Sequence, residues 1–500
     1  MTKTNNVKNQ PMKNSFLLPA LALLLSLASC DGRKTISGNE LAAGFAETPD
    51  SIQTSVYWYW ISNHISADGV RRDLESMKRI GIDRAFIGNI GLEDSESGEG
   101  PVKFYSEAWW EVMHTALKTA TKLGIDIGIF NCPGWSQSGG PWVEPQQSMR
   151  YLANTSTRIT GGQLVETDLP RPAGERSADF QDVKVIAFPA IDGRTLTPAD
   201  TEITTTPSVP HPEQLIDGDP DTSVELLPAG SQSREVTLEF TTDRPFTLRS
   251  LKLRVTEAPV DCPARLEAEL DGTLHTLAEF PVTRFNPALH VGFDPYAPIV
   301  ISVPATASTR FRLVFADATP GFGLREAELS SLPVVERYPE KTLAKMYQTP
   351  LPYWHEYMWR VQPAADDPSQ VIKPGDILDI SDCLEGDRLT WNAPAGEWTV
   401  LRTGMLPTGV VNSPARPEAQ GLETDKMSKQ HIEAHFEAFL GEIYRRIPAE
   451  DRKCWKVVVE DSYETGGQNF TAGFLEAFSN RYGDDPIPVL PVYTGAVVQR

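Results

Sequence analysis

Three carboxylates fall within five residues in the stretch Trp455–Phe470, which reads WKVVVEDSYETGGQNF. Three valines run directly into Glu460 and Asp461, Glu464 follows three residues later, and Gly466-Gly467 form a turn behind them. An apolar, β-branched run of this length predicts a strand buried on both faces, as in a parallel sheet. In α/β folds the carboxyl ends of such strands are where ligands bind. Carboxylates gathered there repel one another unless a proton, a cation or a substrate uses them. A helix cap would account for one of these acids, not for three.

Two further segments carry residues suited to binding. Asn131-Cys132-Pro133-Gly134-Trp135-Ser136-Gln137-Ser138-Gly139-Gly140-Pro141-Trp142 combines an irregular Gly/Pro backbone with flat tryptophans and hydrogen-bonding Asn and Ser. Sugar rings suit such a loop, because their CH faces stack on aromatics while their hydroxyls need fixed polar partners. Asn131, Trp135 and Ser136 are its candidate ligand contacts, although the tryptophans could equally fill core. In Tyr57-Trp58-Tyr59-Trp60 alternate residues face opposite sides of a strand, so at most half can line a site; Trp58 and Trp60 are taken as that half. Asn63 and His64 lie just beyond, with His64 read as a structural hydrogen-bonder. The loop Glu418–Lys426 (EAQGLETDK) precedes a helix whose positive end already suits acids. Glu423, Asp425 and Lys426 remain binding candidates.

The elements that must position these residues alternate at first. Val56–Trp60 reads as a strand, and Ser66 caps a helix running to Arg79 with Val70, Leu74, Met77 and Ile80 on one face. Arg84–Gly88 is a second strand. Ser106 opens a helix with Trp109, Val112, Met113, Ala116, Leu117 and Ala120 in register, and Ile125–Phe130 is a third strand. Strand–helix–strand units of this kind build a parallel sheet. From Leu164 to Pro333 helical periodicity fades, and short alternating runs (Val236–Phe240, Leu251–Val255, Ile299–Val303, Phe311–Phe315) suggest a β-sandwich. Leu215–Thr222 (LIDGDPDT) and RFRLVFADATPGFGLREAELSS within it resemble a discoidin-like, galactose-binding-type domain. That resemblance implies a structural calcium at the Asp217–Asp219 loop, with an ordinary Asp-Gly turn as the alternative. Val371–Met405 is still β-rich. Helical pattern returns over Met427–Ile447, with Ile432, His435, Phe436, Phe439, Leu440 and Ile443 on one face. The 455–470 strand, a helix near Thr471–Tyr482 and the run Val489–Thr494 follow.

The expected architecture is an α/β fold: a (β/α)8-type barrel interrupted after its third strand by an inserted discoidin-like β-sandwich. Its parts are a signal segment over 1–30, a linker over 31–50, the first part of the barrel over 51–155, the sandwich over 160–335 and the barrel's continuation over 340–500. Five or six barrel strands can be counted rather than eight, and the chain stops after an apolar run, so the barrel is expected to be incomplete at its C-terminus.

Composition narrows the function classes. The chain has 500 residues, 40% of them hydrophobic, with 11 tryptophans, which suits roughly three globular domains. A net charge of −21 argues against nucleic acid and against electrostatic attachment to anionic lipid. Neither a zinc spacing nor a Gly-rich phosphate loop is present. Lys13 followed by the apolar run Phe16–Leu27 reads as a targeting segment too short for a typical membrane span. The ending Leu27-Ala28-Ser29-Cys30 resembles a bacterial lipoprotein box, which implies lipidation at Cys30 and a location at the cell envelope. Met12 suits a start better than Met1. Cys132, Cys262, Cys383 and Cys454 are widely spaced and read as free thiols.

Taken together, SVYWYWISNHISADGVRRDLESMKRIGI, IGIFNCPGWSQSGGPWVEPQQSM, GLETDKMS and EDSYETGGQNFTAGF resemble glycoside hydrolase family 106, the α-L-rhamnosidases, over about residues 51–150 and 340–500. The resemblance implies a catalytic (β/α)8 barrel in a protein roughly twice this long, and cleavage of terminal α-L-rhamnose from plant polysaccharides by inversion, with calcium assisting at the sugar. It places the family's acids on Asp461 and Glu464, with Glu464 as general acid and Asp461 binding sugar or metal. Glu460 shares the parity of Val458 and faces the other side of the strand. An inverting enzyme needs a second carboxylate roughly 6.5–9.5 Å away; no segment up to Arg500 matches the family's later glutamate motifs, so this chain alone is expected to be inactive. The alternatives are a β-galactosidase-like retaining exo-glycosidase, whose carboxylates stand roughly 5–5.5 Å apart, and a non-catalytic glycan-binding lipoprotein.

Overall fold

The structure, a computed structural model, describes residues 37–47, 52–92, 98–174, 176–284, 296–342, 360–461 and 467–499. Two compact units divide the chain, residues 1–54 and 55–500. In the first, helix α1 (Gly38–Ala46) is held at its start by a reciprocal cap: the Ser37 hydroxyl accepts from the Glu40 N–H while the Glu40 carboxylate accepts from the Ser37 N–H. Among the described residues no helix is long and apolar enough to cross a membrane.

The second unit opens with the expected alternation. Strands β1 (Ser55–Ile61), β2 (Arg84–Ile90) and β3 (Asp126–Phe130) run parallel, with helix α2 (Ala67–Arg79) between the first two and α3 (Glu107–Leu123) between the last two. Ser66 and Ser106 cap the helices through their hydroxyls, and Gly124 ends α3 in the left-handed conformation at φ 66°. The strand Trp455–Val459 joins β3 in parallel, so the sheet order is β1, β2, β3, Trp455–Val459. One face is sealed by the helices: Trp58, Trp60, Ala85, Ile87, Ile127 and Ile129 pack against Val70, Leu74, Trp109, Met113, Ala116 and Leu117.

Several expectations are corrected here. The Trp455–Val459 strand is not buried on both faces. It is an outer strand, and Val458 is 43% exposed. Because β1 and this strand each have one neighbour among the described residues, the sheet is open and no closed barrel is formed. The helix expected over 427–447 is two helices, Lys429–Ala438 and Leu440–Arg446, broken at Phe439 (φ −111°, ψ −75°), which leaves Phe436 exposed while His435, Phe439, Leu440 and Ile443 are buried. The run Ile487–Thr494 is a 3-10 helix, since Pro488 and Pro491 have no N–H to give to a ladder.

Antiparallel structure fills the interval between β3 and the helix Lys429–Ala438. Strands Gln181–Pro189 and Arg150–Thr160 flank Glu397–Pro407, and Leu164–Asp168 pairs with Arg388–Asn392. Residues 150–189 therefore pair with 378–407 and not with the large sheet expected to begin near 160. That sheet has seven strands and spans 201–330. The four short runs expected in it fuse into two long strands, Val236–Val255 and Ile299–Phe315, which stay paired through register shifts between Ser302 and Thr306 and between Ser308 and Arg310. Residues 242–245 have no paired residue on Ile299–Phe315, so the gap between the first two expected runs is a bulge inside one strand. The four cysteines outside the undescribed N-terminus are free thiols.

Candidate active site

The carboxyl ends of the parallel strands are bound to one another by backbone hydrogen bonds. Ser62 N donates to Ile90 O (2.7 Å), Asn131 N to Val459 O (2.8 Å) and Gly134 N to Asn89 O (2.8 Å). The loop after β3 then docks on residues 412–414. Trp135 N and Ser136 N donate to Ser413 O at 2.9 and 3.2 Å, Ser413 N donates to Ser136 Oγ at 2.7 Å, and Asn412 Nδ2 donates to Pro133 O at 2.8 Å. Gly134 makes this approach possible: it sits at φ 87°, and a Cβ there would meet the Ser413 carbonyl carbon at 2.7 Å.

This scaffold fixes where the expected site residues lie. Asn131 and Ser136 are 7% and 4% exposed, with the Asn131 amide donating to Gln137 O (3.0 Å) and the Ser136 hydroxyl to Ser413 O (3.2 Å), so both build the loop from within. Trp135 is the outward member, 36% exposed. Trp58 and Trp60, expected to line the site, lie on the opposite face. They are buried under α2 and α3 at 7% and 4% exposure, with Trp58 Nε1 donating to Asp73 (3.2 Å). Helices cover that side of β1, so the tryptophans belong to the core.

The other pair, Tyr57 and Tyr59, occupies the open face. Tyr59 lies 5.5 Å from Tyr57, 6.1 Å from Phe130 and 6.1 Å from Trp135 between ring centroids, and Tyr57 lies 5.8 Å from both Phe86 and Phe130. Val459 pairs with Phe130, so strand alternation brings Asp461 back to this face while Glu460 turns away. Asp461 is partly exposed. Burial, reinforced by the negative charge of Asp461, holds the Tyr59 phenol above its ordinary pKa. The open face is thus an aromatic wall with a carboxylate at its edge.

A second group of charges stands behind the β3 loop. Glu423 is completely buried; its Oε2 accepts from Lys426 Nζ (2.7 Å) and Ser138 Oγ (2.9 Å), while Oε1 has no donor among the described residues. Asp425 is also completely buried, and Arg150, Gln468, Thr471 and the Met427 N–H all donate to it. The Cys132 thiol, beneath the loop, is pushed far above its ordinary pKa by burial, with Glu423 adding to the effect, so it is an inert core thiol. His435 locks the far end of the loop: Nδ1 accepts from Trp142 Nε1 (3.0 Å) and Nε2 donates to Asn131 O (3.1 Å). Burial lowers its pKa to about 4. Among the described residues the His64 ring pairs with Gly98 O, at 3.1 Å.

Glu464 and Cys30 lie outside the described residues. In the seven-stranded region, Asp217 accepts from the Asp219 N–H (2.8 Å), and Asp219 accepts from the Asp221 N–H (3.0 Å). Glu326, not anticipated from the sequence, faces Asp217; burial first and the Asp217 charge second raise it to about 7, and its buried Oε1 has no donor among the described residues. Among the described residues no group of three or more His, Cys, Asp or Glu is placed to hold a metal ion.

The sequence profile described as alpha-L-rhamnosidase, Glyco_hydro_106, matches residues 46–500. A solved rhamnosidase from Novosphingobium sp. PP1Y superimposes with a TM-score of 0.76 at 28% identity, over 92% of this chain and 43% of that one. A Formosa agariphila protein named "Putative beta-glucuronidase" is 24% identical over 97% of this chain and 29% of its own length. The chain spans less than half the length of either relative. With the profile covering nearly all of its described residues, this chain belongs to glycoside hydrolase family 106, the alpha-L-rhamnosidases.

Proposed function

We propose that the protein carrying this chain releases terminal α-L-rhamnose from plant-type polysaccharides by an inverting, two-carboxylate reaction. The observation that carries this reading is the open face of the parallel sheet, where Tyr59 and Trp135 stand beside Asp461 at the strand's carboxyl end. An aromatic wall of this kind suits the CH face and methyl group of a deoxy sugar. Asp461 would bind ring hydroxyls, and Glu464 would protonate the departing oxygen. The Oε1 of Glu423, buried without a donor, is suited to accept a hydroxyl if the β3 loop shifts outward.

A glucuronide substrate would require a cation for its carboxylate. The described cations at this site are already engaged, Lys426 with Glu423 at 2.7 Å and Arg150 with Asp425 at 3.2 Å, which favours a neutral sugar. The test is turnover of p-nitrophenyl α-L-rhamnoside against p-nitrophenyl β-D-glucuronide. Release from the rhamnoside is expected; release from the glucuronide alone would overturn the reading.

The finer architecture is proposed in the same sense: the four parallel strands as an arc of a (β/α)8 barrel, and the 201–330 sheet as an inserted sandwich acting as a spacer. Calcium is the proposed ion. Asp217 and Glu326 would hold it, since a hard cation takes oxygen ligands and would satisfy the orphaned Glu326 oxygen; its contribution would be to stabilise this loop. A rise in Tm on adding calcium, lost in Glu326→Gln, is expected, and an unchanged Tm would contradict it. Lipidation of Cys30 and residence at the cell envelope are proposed from the signal segment. Mass spectrometry of the mature N-terminus should find a diacylglyceryl-cysteine, and an unmodified Cys30 would rule the anchor out.

A further inference from the structure

Asp425 was expected to bind ligand, but its carboxylate has no capacity left to do so. Gln468 Nε2 (2.6 Å) and Met427 N (2.9 Å) donate to Oδ1, Thr471 Oγ1 (2.6 Å) and Arg150 Nη2 (3.2 Å) donate to Oδ2, and His431 Nδ1 lies 3.6 Å from Oδ2. An ionised carboxylate offers about four lone-pair positions, so these partners saturate it.

Those partners come from three separate stretches of chain. Arg150 opens the strand Arg150–Thr160, and Met427 and His431 flank the cap of the helix Lys429–Ala438. Gln468 and Thr471 stand just downstream of the segment that leaves the parallel sheet at Asp461. The same downstream stretch is tied twice more, by the Arg150–Phe470 bridge and by Leu152 N donating to Asn469 Oδ1 (2.8 Å). Gln468 Oε1 in turn accepts from Lys426 N (2.8 Å), and Lys426 Nζ holds Glu423. One buried charge therefore connects the peptide bearing Glu423 and Lys426 to the chain returning from Asp461.

We propose that Asp425 is a positioning residue for the glycosidase site, a buried clamp that sets the Asp461 side of the site against the Glu423–Lys426 side through Gln468 and Thr471. The proposal rests on the rhamnosidase reading for its kinetic consequence but not for its structural one. Misplacing a catalytic group by about 1 Å costs roughly 100-fold in rate, whereas simple loss of stability leaves the folded enzyme's turnover unchanged.

The test uses the full-length protein with Thr471→Val, Thr471→Ser and Asp425→Asn, each first checked by circular dichroism. In Thr471→Val, kcat on an aryl α-L-rhamnoside should fall by about 30- to 100-fold with KM within about threefold, and Thr471→Ser should restore it. Amide exchange over 467–471 should quicken by about tenfold in Thr471→Val and not in Thr471→Ser, with the helix Lys429–Ala438 unaffected. Unchanged kcat in folded Thr471→Val would show that the clamp only stabilises, and unchanged exchange would show that it does not clamp; either overturns the proposal. A wild-type protein that ignores rhamnosides would defeat the functional reading alone, leaving exchange to decide the clamp. If Asp425→Asn fails to fold, the Thr471 pair still decides both points.

Discussion

Strand β1 places two tryptophans on one face and two tyrosines on the other, and the two faces differ in every respect that matters for function. Trp58 and Trp60 are nearly fully buried among α2, α3 and Trp109, whereas Tyr57 is 60% exposed and Tyr59 stands beside Asp461 and Trp135. Residue size and aromaticity are nearly the same on both sides. What separates them is what covers each face: two amphipathic helices on one, the strand-end loops on the other. A large aromatic is therefore core or binding surface according to its neighbours, and alternation along the strand decides which neighbours it meets.

That contrast can be broken from either side. The largest expected effect is on the covered face. Trp60→Ala should destabilise the folded protein by about 3–5 kcal/mol, measured by urea denaturation, with sugar affinity of the folded fraction unchanged; a change of affinity without loss of stability would reverse the assignment of the two faces. Next comes the buried histidine that fastens the β3 loop. Folded His435 titrates near 4 instead of 6.5 because burial disfavours its charge, so the folded protein keeps it neutral where the unfolded chain would take up a proton. Its depressed pKa leaves stability unaffected above pH 6.5 and erodes it between pH 6.5 and 4, by up to about 3 kcal/mol. Denaturation midpoints at pH 7 and pH 5 should show this difference, and His435→Gln should reduce it. The smallest effect belongs to the open face: Trp135→Ala should cost about 1 kcal/mol of sugar binding, seen as a KM about fivefold higher, with unfolding hardly altered.

The sequence patterns were most legible where local and tertiary demands coincide. Ser66 and Ser106 start their helices as expected, because a cap is a short-range hydrogen-bonding requirement. The seven-stranded region was recognisable as β, but its runs were not recognisable as two continuous strands, since bulges opposite Thr309 and at 303–305 interrupt the pairing without ending either strand. Burial of the Trp455–Val459 strand was overestimated because a β-branched run reports a preference for pairing, not how many neighbours the strand meets. Asp461 and Trp135 stand at strand ends beside Tyr59, where their spacing after strands puts them. Tyr59 could not be told from Trp60, because alternation says only that they face opposite ways. The roles of Gln468, Thr471, His435 and Glu326 had no sequence signal at all: each depends on a partner 40 or more residues away, from Asp425 with Gln468 at 43 to His435 with Asn131 at 304.

The most direct test of the central claim, that the tyrosine face of the parallel sheet is the glycosidase site, is kcat/KM on p-nitrophenyl α-L-rhamnoside for Asp461→Asn beside the wild-type full-length protein. With both proteins shown to be folded, the variant should lose about 1,000-fold. Activity retained within about threefold would place the chemistry elsewhere.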